Sequence, residues 1–444
     1  MSTTSVVKPQ IFYGWWIVFG GVLGNAINSG ITFHALPAFL IPLSNSFGVS
    51  LTVMAAGLSL ARIETAFLGP IEGYLVDKFG PRTMMLIGVP TMALGCLFIS
   101  FCHSFTVFLI PFLSGLILGS SIGFASPLTT AVANWWQKKR GRAIGIMWLG
   151  HSLGSTAVPL YNIVIERLSW RWAFRIMTTT ILVLGIPIAL IMRHRPEQYG
   201  LLPDGVSQKE PEPSKNLPSQ EMGFTDDSAP SSKTKDFTIL EAIRTSSFWF
   251  FTISVSVRSA VTTALAINTF PLVQNLGGNS SEARFLFLLQ GIFSAPGRLF
   301  LSWAGDFVNK RQIMAGCLLF LAVTLALMSV APTVKQLTIL WVPYAILWGG
   351  LSSLPNALRA DLFGRENFAT IQGATAPVSN LFGLLAPIFA TWVFQTTGSY
   401  RIPLLVFSGF SLVSMVLILF AKQPPHGREK LNRNIGSTYT QNPH

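Results

Sequence analysis

Apolar residues along this chain gather into long runs, and polar residues are confined to short intervals between them. A hydrocarbon core of about 30 Å needs roughly 20 apolar residues of helix. Twelve stretches qualify, at 13–40, 50–72, 83–103, 105–133, 141–165, 171–192, 247–275, 281–303, 312–331, 335–358, 367–395 and 402–421. Lipid offers no partner to an open backbone group, and the runs far exceed the roughly ten residues of a barrel strand, so helices are expected. Small residues recur at helical spacing, as in Gly115, Gly119 and Gly123, in Gly141 with Gly145, and in Gly150 with Gly154. Such faces let helices approach closely. The pattern reads as an all-α membrane protein with twelve transmembrane helices.

Composition agrees: 50% of the 444 residues are hydrophobic and 11% are charged, against about 25% charged in a soluble domain. A net charge of +13 could suggest a nucleic-acid partner, but the position of the basic residues argues otherwise. One alternating set of intervals holds Lys8, Lys78, Arg82, Lys138, Lys139, Arg140, Arg142, Lys310, Arg311, Arg359 and Arg365, and the basic residues of the central interval and the tail. The other set holds only Arg167, Arg171, Arg175, Arg284, Lys335 and Arg401. This asymmetry predicts a multi-pass plasma (inner) membrane protein with both termini cytoplasmic. The first run opens with Trp15 and Trp16 and lacks a small-residue cleavage site, so it is expected to be retained. Cys96, Cys102 and Cys317 lie in the runs as small core residues, and no disulfide framework or metal site is expected. No phosphate-binding G-x-x-x-x-G-K-[ST] loop occurs, so ATP drive is not expected. No cofactor is implied, nor is an enzymatic activity.

Residues 193–246 are dense in Pro, Ser, Lys, Glu and Asp, the composition of a disordered linker. The expected organisation is a cytoplasmic N-terminus (1–12), a six-helix bundle (13–192), a cytoplasmic disordered linker (193–246), a second six-helix bundle (247–421) and a cytoplasmic tail (422–444). "FTILEAIRTSSFWFF" reads as a short surface helix, with Leu240, Ile243 and Phe248 toward the bilayer. The two blocks echo each other. "GYLVDKFGPR" follows the second run with Asp77 five residues before Arg82, and "SWAGDFVNKR" follows the eighth with Asp306 five residues before Arg311. An internal duplication into pseudo-symmetric halves follows.

"GYLVDKFGPR" resembles the signature loop of the major facilitator superfamily, with a degenerate second copy in which Ser302 stands where a glycine is usual. The resemblance extends over essentially the whole chain. Gly73 lets helix ends approach, Gly80 permits a tight turn, and Asp77 can meet the positive end of another helix. The resemblance implies that this loop closes the cytoplasmic side, making Gly73, Asp77, Lys78, Gly80, Arg82, Asp306 and Arg311 gate candidates. "YGWWIVFGG", "WWQKKRGRAIGI" and "DLFGRENFATIQG" look most like the monocarboxylate porters and oxalate/formate antiporters. The fourth run lacks the arginine usual in proton antiporters, and the fifth lacks the Gly-Pro pair of drug/proton exchangers.

An ionisable residue within the bilayer is a functional hypothesis by default. The runs hold Arg62, Arg258 and Arg298 against Glu64, with Glu72 near an end. Surplus guanidinium invites an anion, and its fork matches a carboxylate. The resemblance places a substrate-binding arginine at Arg298, with a structural arginine near the cytoplasmic helix end as the competing reading, although Ser294 replaces the aspartate that many proton-coupled porters carry four residues earlier. Aligned on "GWW", His34 falls where animal monocarboxylate porters have a lysine. It could bind the anion and carry a proton, or serve only as a hydrogen-bonding residue. His151 reads as a packing residue. No lysine occurs in the eleventh run, where the oxalate exchanger has its second substrate cation, which favours a monocarboxylate over a compact dicarboxylate. Arg62 and Glu64 lie about 200° apart on a helix, and Glu64 is expected to pair with Arg258 across the halves, leaving Arg62 on the cavity. Trp148, Asn25, Asn28, Tyr344 and Asn356 are candidates for the cavity wall.

The expected function is secondary transport of a small organic anion by a monomer with alternating access, using proton symport or anion exchange. An antiporter of a neutral amphiphile or drug, or a non-transporting receptor or scaffold, remains as an alternative.

Overall fold

The computed structural model describes residues 12–205 and 236–423. Twelve helical spans follow in order: α1 (Gly14–Phe47), α2 (Leu51–Phe79), α3 (Pro81–Ile99), α4 (Phe105–Trp135), α5 (140–167) and α6 (Trp170–Ile191), then α7 (Ser246–Asn275), α8 (Ser280–Ala304), α9 (Lys310–Ser329), α10 (Val334–Phe363), α11 (Phe368–Thr397) and α12 (Arg401–Phe420). Ten are long and apolar enough to cross a membrane by length and composition alone. The other two are α2, which carries five charged side chains, and α5, which a tight turn at Ser155–Ala157 divides.

Polar side chains start several spans. Ser50 accepts the amide of Val53 at α2, Thr245 that of Phe248 at α7, and Asn279 those of Ser281 and Glu282 at α8. These caps satisfy donors that helix geometry leaves free. Wider turns interrupt α1 at Gly30–Ala35 and α4 at Pro111–Ile117 and Ser121–Ala125.

Buried apolar side chains form two main cores, one for each block of six spans. Within the first block α1 packs on α5 and α3 on α6; within the second, α7 packs on α11, α8 on α10 and α9 on α12. Gly115 and Gly123 of α4 lie against Gly95 and Gly88 of α3. Large apolar side chains such as Phe67 and Phe320 point outward, as lipid-facing positions do.

The bundles meet along two seams related by the internal duplication, α2 against α11 and α5 against α8. At one end, called here the closed end, Gly73 lies against the backbone of Ala369, and Gly141 against the carbonyl of Ser302. A β-carbon at either glycine would overlap that backbone. Asp77 accepts the amides of Ala369 (3.1 Å) and Thr370 (2.7 Å) and the Thr370 hydroxyl (2.7 Å). Asp306 accepts the amides of Gly141 (2.7 Å) and Arg142 (2.9 Å). Each bundle therefore caps a helix N-terminus of the other.

Further ties reinforce this end. Arg140 and Lys310 both reach Asp361, at 2.8 and 2.6 Å, and Arg365 meets Glu197 and the carbonyl of Asn134. Of the expected gate residues, Arg82 is exposed, Lys78 rests over the rings of Tyr74 and Phe79, and Arg311 is engaged only through its amide, by Asn309. Gly80 adopts φ +83° at the turn into α3, where a side chain would be strained.

The stretch expected as a disordered linker is structured at both its ends. Asp204 accepts the amides of residues 137–139, and Asp236 those of Arg365 and Glu366. Residues 206–235 lie outside the described residues, as do 1–11 and 424–444. The short helix Ile239–Ile243 forms with Leu240 66% exposed, whereas Phe248 turns inward in α7 at 2% exposure. Phe248 lies in the second core and Ile243 packs against it, against the expected bilayer-facing positions.

Removing one carboxylate cap leaves two helix-end amides unpaired, a loss of about 1–2 kcal/mol. Asp77→Ala and Asp306→Ala are each expected to lengthen the distance between spin labels at positions 82 and 312, with the double variant lengthening it most. His194, in the loop after α6, packs beside Gly80. Burial, and then the neighbouring Arg195, lower its pKa from 6.5 to about 4. The folded state resists a proton that the unfolded state accepts, so stability is expected to fall as pH drops from about 6.5 towards about 4. Thermal unfolding of His194→Gln should lack that part of the acid sensitivity.

Candidate functional site

Between the bundles, away from the closed end, lies a cavity of about 480 Å³ lined by polar and apolar side chains. Asn25, Asn28 and Phe33 of α1, Arg62 and Thr65 of α2, Ser120 and Ser121 of α4, Trp148 and His151 of α5, and Gln372 and Asn380 of α11 line it. Its lining extends to Leu36 and Leu58, in the halves of α1 and α2 remote from the closed end. Ser120 donates to Asn28 Oδ1 at 2.7 Å, which orients that amide on the wall.

Arg298 sits at the seam of α5 and α8 and is 0% exposed. Its Nε donates to Ser352 Oγ at 3.1 Å, one terminal nitrogen donates to Ser152 Oγ, and the guanidinium lies 4.8 Å from the centre of the Trp348 ring. The other terminal nitrogen has no partner. No carboxylate pairs with Arg298 among the described residues. A buried guanidinium held by neutral hydroxyls and an aromatic face keeps its charge available to an anion.

His34 and His151 stand beside this group, with ring centres 5.1 Å apart. His34 Nε2 is 3.0 Å from the carbonyl of His151. A carbonyl only accepts, so Nε2 carries hydrogen and Nδ1 is left as the acceptor in the neutral ring. The wide turn at Gly30–Ala35 holds His34 in this position. His151, expected as a packing residue, lines the cavity between Trp148 and Trp348. The one-turn spacing of Trp148 and His151 on α5 was the sequence signal for this shared face.

The other charges divide. Arg62 lines the cavity and lies close to Gly383 of α11. Arg258 is within electrostatic range of Tyr344, and its Nε is unpartnered. Among the described residues Glu64 accepts only from the adjacent Thr65, and its other oxygen has no partner. The expected Glu64–Arg258 pair is therefore not formed here: Glu64 is engaged by Thr65 of its own helix. Glu72, about 80° around the helix from Glu64, reaches Ser121 of α4.

Asn25, Asn28 and Trp148 line the cavity as expected, whereas Tyr344 and Asn356 are buried in the second bundle. Arg359, read from sequence as a loop residue, lies within α10 at 4% exposure and donates to Asn356 and Gln372. Sequence reasoning also missed Ser152, Ser352 and Trp348 around Arg298, and the Arg140–Asp361–Lys310 tie.

Two pseudo-symmetric six-helix bundles that close at one end over a central polar site define the class of secondary membrane transporters. The chain belongs to the Major Facilitator Superfamily, whose profile matches residues 18–265 and 250–439. It is 25% identical over 417 residues to the oxalate:formate antiporter of Oxalobacter formigenes, covering 91% of both chains. It is 23% identical over 437 residues to monocarboxylate transporter 12 of Rattus norvegicus, covering 94% of this chain and 87% of the relative. Among solved structures, the human organic anion transporter MFSD10 (TETRAN) superposes with a TM-score of 0.64 at 18% identity, covering 90% of this chain and 98% of the other. The protein is thus a transporter and not an enzyme.

With no contact between them, Glu64→Gln and Arg258→Met are expected to change thermal stability additively, within about 0.5 kcal/mol in a double-mutant cycle. A larger coupling would restore the cross-bundle pair.

Proposed function

We propose that this transporter carries a small organic anion, a monocarboxylate, by alternating access, with proton symport or anion exchange. One observation carries the reading: Arg298 is buried between the bundles with a free donor and no acidic partner among the described residues, beside His34 and the cavity-lining His151. A carboxylate could take that donor, with His34 and His151 completing its contacts and Arg62 drawing it into the cavity. Similarity to an oxalate:formate antiporter and a monocarboxylate transporter supports the same class.

In this reading the closed end is cytoplasmic, as the excess of Lys and Arg at that end favours. The termini then lie in the cytoplasm, the chain sits in the plasma (inner) membrane as a monomer, and the conformation faces outward. Asp77 and Asp306, with Gly73 and Gly80, form the gate. Opening it and closing the opposite side would transfer the anion.

The purified protein in liposomes, with a panel of labelled formate, acetate, lactate, pyruvate and oxalate, tests the reading with and without a pH gradient. Uptake of a monocarboxylate is expected. In Arg298→Ala the loss of a charged hydrogen bond of about 2–3 kcal/mol should weaken apparent affinity roughly 30- to 150-fold. Uptake of none of these anions by correctly inserted protein, or unchanged uptake in Arg298→Ala, would overturn it.

A further inference from the structure

Glu72 lies in α2 beside Gly73 of the seam, yet its side chain is only 3% exposed. One carboxyl oxygen shares a hydrogen bond with Ser121 Oγ, and Oε1 has no partner. Two further observations set this group apart from a structural ion pair. The first is the absence of a counter-charge. Neither α4 nor α11 contains an ionisable residue anywhere along its length. On α3 the ionisable groups are Arg82, exposed at its start, and Cys96, buried in the core; on α1 there is only His34, which engages His151. On α2 itself Arg62 faces the cavity, Lys78 lies over aromatic rings and Asp77 caps α11. Among the described residues the charged group in electrostatic range of Glu72 is Glu64, and it is acidic.

The second is the position of Ser121. It opens the wide turn Ser121–Ala125 in α4 and lines the central cavity while it contacts Glu72. A single hydroxyl therefore separates a buried carboxyl from the cavity. An ionised carboxylate at that depth, with no cation, costs several kcal/mol, and a bound proton removes that cost.

We propose that Glu72, with Glu64 as its acidic neighbour, is a proton-binding site loaded from the central cavity through Ser121. A proton arriving from the cavity side joins the Ser121 oxygen as the hydroxyl proton passes to the Glu72 carboxylate, so that Ser121 is regenerated and one carboxylic acid forms. The adjacent Gly73 forms the seam with α11. Parting that seam admits water from the closed end and lets the acid release its proton to the other side. What the proton does for transport rests on the function proposed above; its binding does not.

Infrared spectra of the full-length protein in lipid, without any transported solute, read the site directly. A carboxylic-acid carbonyl band is expected to persist at neutral pH, where exposed carboxyls, with pKa values of about 4, have ionised. Glu72→Gln should remove that component. Ser121→Ala should keep it but shift its frequency, which decides the matter if Glu72→Gln folds poorly. In liposomes, accumulation of labelled formate, acetate or lactate driven by a pH gradient should be lost in Glu72→Gln while exchange without a gradient persists. Absence of any uptake by the wild type would defeat the anion reading and leave the infrared result standing. No acid band at neutral pH in the wild type, or a band unaltered by both substitutions, would overturn the proton site whatever is carried.

Discussion

The carboxylate cap on a helix N-terminus, made twice and in opposite directions, is the contact on which the arrangement of the bundles depends. Asp77 of the first bundle binds the start of α11, and Asp306 of the second binds the start of α5. The unpaired amides and the helix dipole favour the anion in both places. Neither contact needs a deeply buried ion pair. Such caps exchange readily for water when helices part, which suits a closure that has to be reversible.

Close packing and capping act together here. Gly73 and Gly141 bring backbone against backbone at the same end that the caps secure. Dispersion and helix-end hydrogen bonding therefore rise and fall together as the seams move. Away from that end the bundles leave a cavity lined by polar and apolar side chains, and Arg298 of α8 crosses the α5–α8 seam to Ser152, the neighbour of the cavity-lining His151. A group that grips Arg298 would thus act on a seam as well as on a site.

The twelve spans were legible because an apolar run of about twenty residues has few alternatives to a membrane helix. The two caps were legible because Asp77 and Asp306 recur at equivalent places in a duplicated sequence. Arg359 was not, since α10 continues to Phe363 and carries it inside, while its local sequence reads as a loop. Glu72 was set aside as a residue near a helix end. Its burial is decided by a wide turn in α4, a feature that hydrophobic periodicity does not encode. Likewise, the direction of Glu64 depends on rotation of α2 within its bundle, and spacing alone gave its angle to Arg62 but not the neighbour on either side.

The distribution of buried charge differs between the halves that duplication made alike. The second bundle holds Arg258, Arg298 and Arg359 with no acid paired to them among the described residues, whereas the first holds the buried Glu72 and the half-buried Glu64 and turns Arg62 to the cavity. Placing the acids against the arginines would neutralise both sets and join the bundles through buried ion pairs, which are costly to break once formed. Keeping them apart leaves the guanidinium groups able to attract an external anion and the carboxyls able to take up a proton. The proposed proton site then lies wholly in the first bundle, whereas the proposed anion site takes Arg298 from the second and His34 and His151 from the first, so movement of the bundles would bear on the anion site directly.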